Sequence, residues 1–216
     1  MSPRAAAGRQ RTPPLVVAIT GASGAPYAVR LLQLLAAAKR PVSLIVSSHG
    51  YRLLQAESGI GTQAALRRAV GGARWDANVT VFDDGDRGAA PASGSAPSAG
   101  MVICPCSMGT VAAIAAGTSR SLIERAADVT LKERRLLVLV PRETPVSVIH
   151  LENMLRVARA GALVLPASPG FYHRPPTVAA LVDFVVGRIL DHLGVPQTVV
   201  PRWDGEHDDS GGPGSR

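Results

Sequence analysis

The stretch Leu15 to Ala25, LVVAITGASGA, constrains this chain more than any other. Five apolar residues and a threonine run into Gly21-Ala22-Ser23-Gly24-Ala25. From Ala25 to Ala38 the residues Ala28, Leu31, Leu32 and Leu35 then recur at helical spacing. The pattern reads strand, tight glycine turn, helix. A strand that is apolar at every position is buried on both faces, which places it in a parallel sheet. The turn sets backbone N–H groups and the Ser23 hydroxyl at a helix N-terminus, a ready place for a phosphate or another anion. The same small residues also serve close packing of strand on helix. Neither the G-x-G-x-x-G fingerprint nor the lysine of a P-loop is present.

Four more apolar runs repeat the theme: Val42 to Ser47, Met101 to Pro105, Leu136 to Pro141 and Ala162 to Pro166, with a weaker one around Val79 to Phe82. Helical spacing is expected over Tyr51 to Glu57, Gln63 to Val70, Val111 to Ala116, Leu122 to Val129, Val146 to Ala160 and Val178 to Leu193. Alternation of this kind predicts a single α/β domain, a three-layer doubly wound (Rossmann/flavodoxin-like) and mostly parallel sheet over residues 15–203. Residues 1–14 read as a disordered leader and 204–216 as a disordered tail. Each strong strand is followed by polar residues: Gly21 to Ser23, Ser47, Ser107, Arg142 with Glu143, and Tyr172. In a doubly wound sheet those carboxyl ends share one edge, where ligands bind. Hydroxyls and helix N-termini suit a phosphate-bearing cofactor, and Ser107 reads as a helix cap.

A net charge of +7 and a pI near 10.4 raise nucleic-acid binding as a possibility to be tested against placement. Arg4, Arg9 and Arg11 lie in the leader and the other basic residues are dispersed, with no basic helix and no interleaved aromatics. No nucleic-acid partner is expected; interior Arg and Lys fit anionic small molecules better. The two cysteines, Cys104 and Cys106, flank Pro105 on one strand, where a stabilising disulfide is implausible, and no metal-ligand spacing accompanies them. Such usage fits a reducing cytoplasm. No run is long and apolar enough for a membrane span. Residues 85–100 have linker composition, although Ser93-Gly94-Ser95 is a candidate to fold over a ligand. Lys132-Glu133-Arg134-Arg135 reads as a solvated loop.

At TGASGA, PASGSAP with MVICPCS, LIERAADVTLKERRLLVLVPRETP, IHLENM and PGFYHRP, the chain resembles the UbiX/Pad-type flavin prenyltransferases. The resemblance runs from about Leu15 to Trp203. It implies a flavodoxin-like fold, a symmetric homo-oligomer, typically a dodecamer, and bound FMN without a metal. The implied reaction moves a dimethylallyl group from dimethylallyl monophosphate to reduced FMN, closing a fourth ring. The product serves UbiD-type decarboxylases. On this resemblance Gly21, Ala22, Ser23, Ser47, Ser107, Met108, Gly109, Thr110 and Arg142 fall at FMN-binding positions. Tyr172, Arg188, Lys132, Arg125 and Trp203 fall on the prenyl-phosphate side, and groups such as Lys132 can come from a neighbouring subunit. Glu143, Glu57 and Ser23 are the catalytic candidates. The alternatives are a flavin-dependent cysteine or phosphopantothenoylcysteine decarboxylase, or a non-catalytic FMN carrier. The former relies on a catalytic histidine and a PASANT-type loop, where this chain has CPCSMGT.

Overall fold

The computed structural model describes residues 12–200. Six strands form one sheet: β1 (Leu15–Ile19), β2 (Val42–Val46), β3 (Val79–Phe82), β4 (Met101–Cys106), β5 (Leu137–Pro141) and β6 (Leu163–Val164). Their order is β3-β2-β1-β4-β5-β6, and every pairing is parallel. Of the doubly wound arrangements, this is the one that reverses direction between β1 and β4. The helices are α1 (Ala25–Ala37), α2 (Ser48–Ser58), α3 (Gln63–Val70), α4 (Ala73–Asn78), α5 (Met108–Ala115), α6 (Leu122–Lys132), α7 (Val148–Arg159) and α8 (Val178–His192).

Why the strands are apolar throughout is visible in their side chains. Leu15, Val17 and Ile19 point into one core with Leu31, Leu35, Val185 and Ile189. Val16 and Ala18 point into the other, with Val111, Ile123, Ala126 and Val157. The period of two is intact, but each face has its own helical cover: α1, α3 and α8 on one side, α5, α6 and α7 on the other. Three layers result.

Two expectations shift. The expected strand Ala162 to Pro166 shrinks to Leu163–Val164, because it sits at the sheet edge with only β5 to pair with. Its pairing still continues, since the amides of Leu165 and Ala167 donate to the carbonyls of Leu139 and Pro141. Helix α4 was unforeseen: Trp75 is buried from a six-residue helix that supports α3 and β3.

Candidate active site

The carboxyl ends of β1, β2 and β4 open into a cleft of about 280 Å³ lined by Thr20, Gly21, Ser47, His49, Ser107, Thr110 and, from the far side, Asp84, Ser121 and Glu124. Local chemistry fixes its walls. Ser47 caps α2, its hydroxyl accepting from the Gly50 amide at 3.0 Å, and Ser107 caps α5 by accepting from Thr110 at 3.2 Å. Two helix N-termini therefore face the cleft. The Ser107 and Thr110 hydroxyls lie 2.9 Å apart. Thr20 joins the two central strands: its hydroxyl donates to the Pro105 carbonyl at 3.0 Å and accepts from the Ser107 amide at 2.8 Å. Opposite, the Asp84 carboxylate accepts from the Ile123 amide at the start of α6.

Beside the cleft, the glycine turn holds an anion that belongs to the protein. One carboxylate oxygen of Glu57, at the end of α2, accepts from the amides of both Gly24 and Ala25 at 2.8 Å. Gly24 takes φ 132° to begin α1, a conformation open to glycine and strained for any residue with a Cβ. The turn reads in sequence as a place for a phosphate or another anion, and on two of its amides that anion is a side-chain carboxylate. Burial opposes ionisation of Glu57, but the two amides, the Ser23 hydroxyl and the charge of Arg142 outweigh it and hold the carboxyl below its ordinary value of 4.5. The Arg142 guanidinium in turn donates to the Ser23 carbonyl at 3.2 Å. Ser23, Glu57 and Arg142 thus form one cluster, with exposed Glu143 directly following and accepting from the Thr144 amide.

The Flavoprotein family model matches residues 4–190. The flavin prenyltransferase UbiX of Pseudomonas aeruginosa is 50% identical over 200 residues, covering 89% of this chain and 95% of that protein. This chain belongs to the UbiX flavin prenyltransferases. Among solved structures, a UbiX in complex with FMN and dimethylallyl pyrophosphate superposes with a TM-score of 0.83 at 39% identity, covering 91% of this chain and all of the other. A dodecameric FMN-dependent UbiX-like decarboxylase from Escherichia coli O157:H7 gives 0.81 at 40% identity, covering 88% and 99%.

Within a single subunit, only some of the expected site residues come together. Gly21, Ser47, Ser107 and Thr110 line the cleft, and Gly109 is exposed on the first turn of α5. The Ala22 and Met108 side chains are buried, Met108 in the core behind α5, so only their backbones can face a ligand. Arg125 turns along α6 to Asp128, at 2.8 Å. Tyr172 is 65% exposed, packed edge-on against Phe184 of α8, and Arg188, one turn further along α8, pairs with Asp191 at 3.0 Å. Trp203 lies outside the described residues.

Lys132 and the Ser93-Gly94-Ser95 loop are at the opposite edge. Helix α6 starts at the cleft and runs about 16 Å to the amino end of the sheet, where Lys132 pairs with Glu133. There Arg135 donates to the carbonyls of Gly94 and Ala96 at 2.7 and 3.1 Å. Within one subunit this loop does not line the cleft, and Arg135, read from the sequence as solvated, is held by two backbone carbonyls. Sequence reasoning also missed His49, Asp84 and Glu124 on the cleft walls. His49 packs its Cβ so close to Gly21 that a Cβ there would stand 2.6 Å away.

Proposed function

We propose that this chain transfers the dimethylallyl group of dimethylallyl monophosphate to reduced FMN, giving prenylated FMN. The observation that carries this reading is the Ser23, Glu57 and Arg142 cluster on the turn beside the hydroxyl-lined cleft, in a chain half identical to a curated flavin prenyltransferase. The donor set suits FMN: two helix N-termini and the Ser47, Ser107 and Thr110 hydroxyls can take the phosphate and ribityl oxygens. FMN supplies the nucleophilic ring atoms when bound. Arg142 then neutralises charge on the departing phosphate together with Arg188, Arg125, the Tyr172 hydroxyl and Lys132. Glu143 handles the proton released as the flavin ring regains aromaticity, and ionised Glu57 fixes the turn that orients Ser23. Trp203 contributes to the apolar wall around the prenyl chain.

The cleft falls just below the usual volume range of about 300–1,000 Å³ for small-ligand sites. Completion by a second subunit fits both that shortfall and the remote position of Lys132 and the Ser93 to Ser95 loop. The exposed apolar residues Val146, Val148, Ile149, Leu151 and Leu155, on α7 and the segment leading into it, provide a face for such contacts, and a dodecamer is the assembly we infer. We further place the enzyme in the cytoplasm, consistent with its reduced, buried Cys104 and Cys106, and assign its product to a UbiD-type decarboxylase. Among the described residues no helix is long and apolar enough to cross a membrane. The decarboxylase and FMN-carrier alternatives have less support than the prenyltransferase. Glu143→Gln tests the assignment. It should retain FMN affinity while slowing consumption of dimethylallyl phosphate by about 10²-fold or more; unchanged turnover would remove Glu143 from the chemistry.

A further inference from the structure

We propose, resting on the flavin reading above, that His49 binds the FMN phosphate as an imidazolium and gives the cleft its preference for FMN over unphosphorylated flavin. Four helices begin at the cleft and its adjoining turn, and their first amides are not equally free. At α1 the Glu57 carboxylate accepts from the amides of Gly24 and Ala25. At α6 the Asp84 side chain accepts from Ile123 at 3.0 Å, and the Asp84 carbonyl accepts from Leu122 at 2.7 Å. At α2 the amides of Ser48 and His49, and at α5 those of Met108 and Gly109, donate to no other described residue. A phosphate therefore finds its backbone donors on the α2 and α5 side of the cleft.

Charge singles out His49 on that side. A phosphate monoester carries about −1.5 to −2 charges at pH 7, and the far wall already holds the carboxylates of Asp84 and Glu124. Burial opposes ionisation of Glu124, but hydrogen bonds from Arg120 and Thr118 and the Arg120 charge outweigh it and hold the carboxyl below its ordinary value of 4.5. No lysine or arginine lines the cleft, and His49 is its one lining side chain able to become a cation. Arg120 is engaged by Glu124, and Arg142 by the Ser23 carbonyl on the turn outside the lining. On α2 itself the nearest charged group is Arg52, exposed one turn along. The stem that carries His49 is fixed. The Ser47 amide donates to the Ile19 carbonyl at 3.0 Å, and a Cβ at Gly50 would stand 2.5 Å from that same oxygen, so the first turn of α2 sits directly on the end of β1. The imidazole, by contrast, is exposed and has no hydrogen-bond partner among the described residues. A histidine gains its charge just below neutrality, and a phosphate dianion beside it favours the charged form.

The test measures the affinity of the full-length oligomer for oxidised FMN and for riboflavin, by quenching of flavin fluorescence at low ionic strength. Riboflavin shares the ring and the ribityl chain and lacks only the phosphate. At about pH 6.5, His49→Gln should weaken FMN binding about tenfold, the size of one charge-assisted hydrogen bond, and leave riboflavin affinity unchanged. In the unaltered protein FMN affinity should fall between about pH 6.5 and 8 as the imidazole loses its proton, while riboflavin affinity stays level. His49→Lys should restore FMN affinity and remove that fall. An FMN affinity and pH slope unchanged by His49→Gln would overturn the inference and leave the flavin reading intact. An equal loss for both flavins would also overturn it, making His49 a residue that shapes the cleft without touching phosphate. Binding of neither flavin by the unaltered protein would overturn the flavin reading itself, and this inference with it.

Discussion

Glu57 illustrates how much one side chain carries here. Its carboxylate is the cap of α1, and the lowered pKa means the folded state favours the ionised form. The stabilisation is then fully present above the unfolded value of 4.5 and is lost as pH falls through the lower folded value. Glu57→Ala should cost roughly 1 kcal/mol at pH 7, the size of a helix cap on a side chain that solvent still screens. Urea or thermal unfolding of both proteins should show the gap narrowing below pH 4.5, and a gap independent of pH would remove ionised Glu57 as the cap. Ser23→Ala takes away one of the donors to Glu57 and should weaken FMN binding, read by quenching of flavin fluorescence; unchanged affinity would move the flavin away from this turn. None of this pairing was visible in the sequence. Glu57 lies 33 residues from Gly24, and only the fold brings them together.

Elements were far more legible than pairings. Both faces of β1, β2, β4 and β5 are covered, so their apolar runs stand out, and the hydroxyl at Ser107 announces the start of α5. Removing that cap by Ser107→Ala should destabilise the domain by about 1 kcal/mol and lower FMN affinity together, since one hydroxyl serves both the helix and the cleft. A loss of stability with intact affinity would confine Ser107 to capping. What the sequence hid was direction. Lys132 follows Arg125 by two turns on α6, and a helix that returns from one sheet edge to the other carries its ends apart. Likewise β6 was overread, because an edge strand needs fewer apolar residues than a central one while its neighbours Ala162 and Pro166 look the same in either setting.

At the scale of the molecule, the cleft lies at the carboxyl edge of the sheet and Lys132 at the amino edge. If Lys132 serves a neighbour's cleft, subunits carrying Lys132→Ala and subunits carrying Glu143→Gln should each be inactive alone. Coassembled, they should recover activity at about a quarter of their sites. No recovery in a verified mixed oligomer would place both residues in the same subunit's site. The apolar face of α7 belongs to the same picture: Ile149→Glu, at a position 67% exposed, should dissociate the assembly without unfolding the subunit, as sedimentation and circular dichroism would report. The measurement that reaches the central assignment most directly is anaerobic incubation with reduced FMN and dimethylallyl phosphate, followed by mass spectrometry of the extracted flavin. A flavin heavier by one five-carbon unit is the expected product. Unmodified FMN recovered from protein that had bound it would contradict the prenyltransferase assignment and leave the chain as a flavin carrier or decarboxylase.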